Sequence, residues 1–270
     1  MGEMIEVRRD GHVAEVELVG GGWGHAMGPD FWRELPEVFD ALSADPSVRA
    51  IVLYGAGEHF SIGLDLKGML PELAVALQPG AAEERLQVLA LVERLQAAVN
   101  SIESCAKPVI AVAHGWCIGG AIDVMTACDI RVSSADATFS VREIQLAIVA
   151  DIGTLQRLPR IVGQGHARQL AMTGEDFDAA RALQIGLVND VHPDRAAAVE
   201  AGRGLARQIA SRSPVAMRGV KRVMNWSADR SISDGLDFVA TWNAAFLQSA
   251  DLSEAVSAFM EKRQPVFQDS

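Results

Sequence analysis

The alternation of short apolar strands with helical segments is the sequence feature that most constrains the fold of this chain. The runs VRAIVLYGAG (48–57) and PVIAVAHG (108–115) are rich in β-branched residues, which is typical of buried strands. Apolar residues at helical spacing precede each run, over 30–46 and around 84–104. Strands and helices in this order predict a layered α/β domain.

The two ends of the chain have different patterns. Alternating residues over 5–19, broken at Asp10-Gly11, predict a β-hairpin at the start. From Gly153 onward the pattern is almost wholly helical, with one strand expected at LVNDVH. The helices are expected over 158–174, 176–186, 194–212, 214–226 and 232–263. We therefore predict a core over residues 1–195 and a helical region over 196–270 that packs on the core or on a neighbouring subunit.

Composition narrows the kinds of partner. The chain has 270 residues, 49% of them hydrophobic, and a net charge of −11, which indicates a globular protein with a large core. The acidic balance disfavours nucleic acid and anionic membranes and favours a small ligand. The cysteines Cys105, Cys117 and Cys128 lie in apolar sequence without CxxC spacing, so we expect reduced core thiols.

The sequence also bears on location. The N-terminal segment is charged and lacks the apolar core of a secretory leader, and no run approaches the roughly 18 to 20 apolar residues that span a bilayer. The final residues QPVFQDS are not a peroxisomal address. From these features we expect a cytoplasmic protein.

Two glycine-bearing turns, over 59–69 and 114–125, each follow a predicted strand and lead toward a helix. One backbone N–H from each, those of Leu64 and Gly120, is predicted to hold a developing oxyanion. The alternative is that the glycines at 119 and 120 serve only close packing of helix on strand.

Three acidic residues stand in apolar sequence near the second turn: Asp123, Glu143 and Asp151. Burial raises the pKa of a carboxyl toward neutral pH, so these residues predict a proton-transfer site. Two simpler interpretations remain open. Asp151 precedes a helix and is a good N-cap residue, and Glu143 has Arg142 or Arg157 as potential ion-pair partners.

Other chemistry has little support in the sequence. The histidines lie in no HExxH or similar ligand spacing, and no GxSxG nucleophile turn is present. The glycines at 55–60 and 163–168 form only incomplete dinucleotide fingerprints. We therefore expect neither a metal nor a separate cofactor.

Taken together, the turns HFSIGLDLKGM (59–69) and HGWCIGGAIDVM (114–125) and the segment VREIQLAIVADIGTLQRLPRIVG (141–163) resemble the crotonase (enoyl-CoA hydratase/isomerase) superfamily over nearly the whole chain. The Gly-Gly-x-x-Asp motif ending at Asp123, together with Glu143 and with Asp151 in ADIGTLQRLP, resembles its Δ3,5-Δ2,4-dienoyl-CoA isomerase branch. The resemblance implies a ββα-repeat spiral core with a C-terminal helical trimerisation region. It also implies a homotrimer or a dimer of trimers.

The resemblance further implies an acyl-CoA thioester as substrate, with coenzyme A as part of it. The thioester carbonyl would lie between the Leu64 and Gly120 N–H groups. Glu143 would take a proton from C2, Asp151 would return one at C6, and Asp123 would orient the pair. The residues implied in coenzyme A binding are Ser61, Ile62, Gly63, Asp65, Leu66, Lys67, Gly119 and Lys262.

Two alternative functions remain beside the isomerase hypothesis. A hydratase typically has Glu where this chain has Asp123 and a Pro-Gly-x-Gly-Gly segment where it has residues 150–154, so water addition to 2-enoyl-CoA ranks second. A non-catalytic acyl-CoA-binding protein ranks third, because all three carboxyls are present. Ile62 also stands where the family has a small residue, and we expect it to narrow the substrate channel.

Overall fold

The computed structural model describes residues 2–74 and 82–268. Its chain opens with the predicted hairpin, in which β1 (Ile5–Asp10) pairs antiparallel with β2 (Val13–Leu18). Gly11 in the turn has φ +56°, a conformation that glycine adopts without a steric penalty.

A six-stranded sheet in the order β1-β2-β3-β4-β6-β9 forms the centre of the fold. From β2 to β9 the neighbouring strands run parallel, and their side chains are mostly buried, as expected of a parallel sheet covered on both faces. The further strands of this sheet are β3 (Ala50–Gly55), β4 (Val109–Ala113), β6 (Ile130–Ser134) and β9 (Asp190–His192).

Helices cover both faces of this sheet. On one face α1 (Pro29–Ala44), α3 (Ala82–Ser104) and α4 (Gly120–Ala127) enclose the larger apolar cluster. On the other face α8 (Arg195–Ala210) contributes Ala198, Val199 and Ala206 to a second cluster. The layered α/β class is therefore confirmed, and the boundary drawn at residue 195 stays a prediction.

A small second sheet carries the region of interest. It consists of β5 (Trp116–Ile118), β7 (Thr138–Ser140) and β8 (Phe177–Asp178), with β5 parallel and β8 antiparallel to β7. Around it lie α5 (Thr154–Val162), α6 (Gln164–Thr173) and α7 (Ala179–Gln184). A single turn of helix, α2 (Leu70–Leu73), follows the first glycine turn.

The C-terminal region is helical, as predicted, with α9 (Pro214–Ser227), α10 (Ile232–Phe246) and α11 (Ala250–Glu261). The single helix expected over 232–263 is two helices, because Ser249 accepts a hydrogen bond from the Leu252 N–H and starts a new one. Within the described part of the chain, no helix is both long and apolar enough to cross a membrane.

Candidate active site

The two glycine turns meet backbone to backbone. Gly63 has φ +82°, and a Cβ at this position would lie 2.6 Å from the Ile118 carbonyl oxygen and 3.1 Å from the Gly120 nitrogen. No other residue type fits there without moving one of the turns. The prediction that these turns face each other is therefore confirmed. Their close approach is possible because Gly63 has no side chain.

Hydrogen bonds fix the direction of the first turn. The Met27 N–H donates to the Gly63 carbonyl at 2.8 Å, and the Asp65 N–H donates to the Met27 carbonyl at 3.1 Å. In this parallel bridge the N–H of Leu64, which lies between the two bonded residues, points away from Met27.

The second turn supplies its N–H through a helix start. Gly120 is the first residue of α4, where the N–H has no partner inside the helix. Gly119 before it has φ +56° and ψ −128°, which suits glycine alone. Among the residues the structure describes, neither the Leu64 N–H nor the Gly120 N–H donates to a backbone carbonyl.

Both residues line one cavity of about 330 Å³. Its wall also contains Glu143 and Asp151, so the predicted oxyanion donors and two of the three predicted carboxyls share one space. The remaining lining residues are Trp32, Ile62, Leu66, Leu95, Ile118, Gly119, Arg142, Gln145, Leu146, Ile148 and Ile152. The site is mostly apolar with a few convergent polar groups, which is typical of a substrate pocket.

Asp123 lies behind this wall and does not line the cavity. It is fully buried, and its Oδ1 accepts a hydrogen bond from the Thr154 N–H at 2.5 Å, while its Oδ2 has no partner among the described residues. Burial, with repulsion from Glu143, raises the pKa of Asp123 to about 7. Burial and this repulsion both favour the protonated form of Asp123.

Glu143 begins the 3-10 helix Glu143–Leu146 directly after β7. Its side chain is half-buried and its Oε2 has no hydrogen-bond partner among the described residues. The Oε1 atom lies 3.7 Å from where a Cβ of Gly119 would be, which places the carboxyl beside the second turn. Burial and the nearby Asp151 raise the pKa of Glu143.

Asp151 lies on the segment that leads into α5, and the residue as a whole is exposed in the single chain. Partial burial against the cavity raises its pKa. The interpretation that Asp151 only caps α5 is wrong, because the N-cap is Gly153 and the Thr154 N–H is bonded to Asp123. Gln96 on α3 donates to the Asp151 carbonyl at 2.6 Å and holds the segment.

The alternative ion pairs proposed for Glu143 are also absent from the structure. Arg142 forms its salt bridge with Asp176, and Arg157 forms one with Glu103. Glu143 is therefore left facing the cavity with its own backbone N–H as the group that favours its ionised form.

The residues implied in coenzyme A binding have different surroundings. Ser61 is buried, donates its hydroxyl to the His25 carbonyl and accepts the Gly63 N–H. Asp65 accepts the N–H groups of Lys67 and Gly68, so it stabilises the turn. These two side chains support the turn from within.

The other implied residues divide between the cavity and the surface. Ile62 and Leu66 line the cavity, Gly63 and Gly119 shape it, and Lys67 is exposed at the end of the turn. The Ile62 side chain also packs on Gly24, where a Cβ would lie 2.7 Å from it, so part of its bulk is directed away from the channel.

Lys262 is not brought to this cavity within one chain. It ends α11, and the following segment binds Arg49, whose guanidinium donates to the Phe267 carbonyl at 2.9 Å. Arg49 precedes β3, whereas the first turn follows the opposite end of β3. The role of Lys262 in coenzyme A binding stays a prediction.

Some residues of the site had no signal in the sequence analysis. Trp32 and Leu95 come from the faces of α1 and α3, where helical spacing marks them only as core residues. Thr154 is joined to Asp123 across 31 positions of sequence. Within residues 2–74 and 82–268, no three His, Cys, Asp or Glu side chains are grouped to hold a metal ion, and the expectation of metal-free chemistry stays a prediction.

Comparisons with known proteins identify the family. The family model described as enoyl-CoA hydratase/isomerase matches residues 10–270, and the chain belongs to this family. A crystal structure of enoyl-CoA hydratase from Bacillus anthracis superimposes with a TM-score of 0.89 at 29% identity, covering 99% of this chain and 100% of that one.

Relatives with a higher sequence identity to this chain are named for a single reaction. The Delta(3,5)-Delta(2,4)-dienoyl-CoA isomerase of Dictyostelium discoideum, a mitochondrial protein, is 43% identical over 94% of this chain and 87% of its own length. The peroxisomal enzyme of that name from Arabidopsis thaliana is 44% identical over 90% of this chain and 88% of its own length.

These names correct one prediction. The expectation of a cytoplasmic protein is wrong, since the relatives are named mitochondrial or peroxisomal. The reasoning failed because the lack of an apolar leader or membrane span excludes only secretion and insertion. Transit peptides for organelles are amphipathic segments and do not depend on either feature.

Proposed function

We propose that this chain isomerises 3,5-dienoyl-CoA to 2,4-dienoyl-CoA, a step of fatty-acid β-oxidation. One observation carries the proposal: two carboxyls with raised pKa, Glu143 and Asp151, line the same cavity as Leu64 and Gly120, whose N–H groups donate to no backbone carbonyl among the described residues. The relatives named for this reaction, at 43 and 44% identity, support it.

The N–H groups of Leu64 and Gly120 receive the thioester oxygen. Removal of a proton from C2 places negative charge on this oxygen, and two aligned donors stabilise that charge more than the neutral carbonyl. Each such donor is worth roughly 3 to 4 kcal/mol of barrier in other enzymes. The α4 dipole adds to the effect at the Gly120 side.

The two carboxyls act in sequence. The Glu143 carboxylate takes the C2 proton, and the electron pair left behind spreads over the oxygen, C2, C4 and C6. The carboxyl of Asp151 gives its proton to C6, so that the double bonds move from C3 and C5 to C2 and C4. One proton enters and one leaves. The step needs Glu143 ionised and Asp151 protonated, and burial raises the pKa of both carboxyls.

Asp123 supports this pair from behind the cavity wall. Its carboxyl joins α4, which carries Gly120, to the first N–H of α5, which follows Asp151. It therefore sets the distance between the oxyanion turn and the acid, and we assign it a positioning role.

Hydration is the alternative function, and the surroundings of Asp123 disfavour it. Two carboxylates that hold one water must both reach the cavity. Asp123 is directed to Thr154 and does not line the cavity, so Glu143 has no second carboxylate at the position a hydratase would use.

We further propose that the enzyme assembles as a trimer or a dimer of trimers through its C-terminal helices. No residue of α10 is buried in the single chain, although the helix is rich in apolar side chains. Ile232 is 85% exposed, and Phe259 on α11 is 82% exposed. A contact of Lys262 with the phosphates of coenzyme A requires a second subunit to bring α11 to this cavity.

The ultraviolet absorbance of purified protein with 3,5-octadienoyl-CoA tests the function, since the 2,4-dienoyl product is conjugated with the thioester. We expect product formation that falls at least 100-fold in Asp151→Asn and stays unchanged in Asp40→Asn, a control on the exposed face of α1. Crotonyl-CoA hydration is measured in parallel. Hydration alone, indifferent to Asp151→Asn, would make the protein a hydratase.

A further inference from the structure

We infer that Arg142 is a positioning residue for the isomerisation, and that with Asp176 and Trp116 it fixes the backbone from which Glu143 reaches the cavity. The inference rests on the proposed function. It concerns the neighbour of the base in sequence, which also lines the cavity but whose guanidinium is bound to Asp176 and stacks on Trp116.

The contacts of Arg142 are well defined. Its Nη2 donates to both carboxylate oxygens of Asp176, at 2.8 and 2.7 Å, and its Nε donates to one of them at 3.1 Å. The guanidinium carbon lies 4.6 Å from the centre of the Trp116 ring. Arginine is held in this way by a planar fork and a stacked face, a combination that lysine does not reproduce.

These contacts join the elements on either side of the base. Trp116 begins β5, the strand that ends at the Gly119-Gly120 turn. Asp176 immediately precedes β8 at the far edge of the same small sheet. Arg142 is the N-cap residue of the 3-10 helix that starts at Glu143. The guanidinium thus ties the base to the strand that leads into the turn with the predicted oxyanion donor Gly120.

The segment after Arg142 has little apolar packing to hold it. Ile144, Leu146 and Val149 are 46%, 53% and 69% exposed in the single chain. Its position depends on polar anchors: the Arg142 contacts and the Gln145 amide, which donates to the Gly174 carbonyl at 2.7 Å. Loss of the Arg142 anchor should therefore shift Glu143 more than it weakens the fold.

The stability of the fold has other sources at this place. The Arg142 and Asp176 side chains are about one third and two fifths exposed, and such pairs contribute little to folding. The sheet itself is held by the pairing of Thr138 with Asp178 and by the stacked rings of Phe139 and Phe177. A variant of Arg142 should fold.

Steady-state kinetics on 3,5-octadienoyl-CoA test the inference with Arg142→Lys, Asp176→Asn and the double variant. Arg33→Lys serves as control, because Arg33 pairs with Asp30 at 2.7 Å on the exposed face of α1. We expect kcat to fall about 10- to 100-fold in each single variant, with KM nearly unchanged, since a small displacement of a catalytic base greatly lowers the rate. The double variant should be no slower than the slower single variant, because both lose one anchor.

Three results would overturn the inference. Full activity in Arg142→Lys would show that only its charge matters. A rise in KM confined to Arg142→Lys, with Asp176→Asn normal, would make Arg142 a direct ligand of the substrate. If the loss of kcat in the double variant equals the product of the two single losses, Arg142 and Asp176 act independently. An inactive wild-type protein would instead refute the proposed isomerase function.

Discussion

Replacement of Asp123 by asparagine tests how the fold accommodates its buried carboxyl. An asparagine Oδ1 can still accept the Thr154 N–H, and the side chain has nearly the same shape, so the position of α5 should be kept. The substitution removes only the ability to ionise. The stability of the two proteins should therefore differ in a way that depends on pH.

The magnitude follows from the pKa of Asp123, which rises from an ordinary 3.8 to about 7 in the fold. Above pH 3.8 the unfolded chain loses this proton while the folded protein keeps it, so wild-type stability falls as pH rises and levels off above about 7. At about 1.4 kcal/mol per pKa unit, the full loss is about 4 kcal/mol. The Asp123→Asn variant has no carboxyl at this position and does not lose this stability.

Urea unfolding at pH 5, 6, 7 and 8, at fixed protein concentration, measures the difference. We expect the advantage of Asp123→Asn to widen by about 3 kcal/mol between pH 5 and pH 8. Asp40→Asn on the surface of α1 reports the effect of the same chemical change away from the site. A pH-independent difference, or one that narrows as pH rises, would show that Asp123 is ionised in the fold and would refute the reasoning.

Other perturbations probe the cavity and the packing around it. Gly63→Ala should lower kcat about 100-fold, because its Cβ would lie 2.6 Å from the Ile118 carbonyl and separate the oxyanion donors, as kinetics would measure. The acidic limb of kcat/KM against pH should lie above the range of an ordinary glutamate, because burial raises the pKa of Glu143. Glu34→Ala should lower the free energy of unfolding in urea by about 3 kcal/mol, since its carboxylate accepts three N–H groups of residues 3–5.

The two substitutions have matched controls in the chain. Gly165→Ala adds a Cβ in α6 where open space surrounds it, and normal activity in Gly63→Ala as well would mean that the turns need not touch. Glu37→Ala is the exposed counterpart of Glu34→Ala, and equal stabilities would contradict the anchoring role. A limb in the usual range for glutamate would mean that Glu143 is solvated or is not the base.

Much of the fold was predictable because its signals are local. The β-branched runs at β3 and β4 and the Asp10-Gly11 turn each specify their own structure over a few residues. The break between α10 and α11 was missed, although Ser249 is a good N-cap residue. Apolar spacing continues across the break, and this periodicity outweighed the cap signal.

The candidate site was predictable only in part. Acidic residues in apolar sequence identified Asp123, Glu143 and Asp151, but their roles depend on contacts between distant elements. A rule based on neighbouring sequence assigned the cap of α5 to Asp151. Because Asp123 supplies that acceptor from another helix, Asp151 is free to face the cavity. No local sequence pattern indicates that a residue of another helix supplies this acceptor.

The contact between Gly63 and Gly120 also bears on how a site of this kind changes by mutation. In the proposed mechanism, the half of the site that holds the thioester oxygen is main chain, so exchange of neighbouring side chains leaves its donors in place as long as both glycines persist. The half that moves protons consists of side chains on separate elements. A different reaction can therefore arise when one carboxyl moves to another position, while the proposed activation of the thioester is kept.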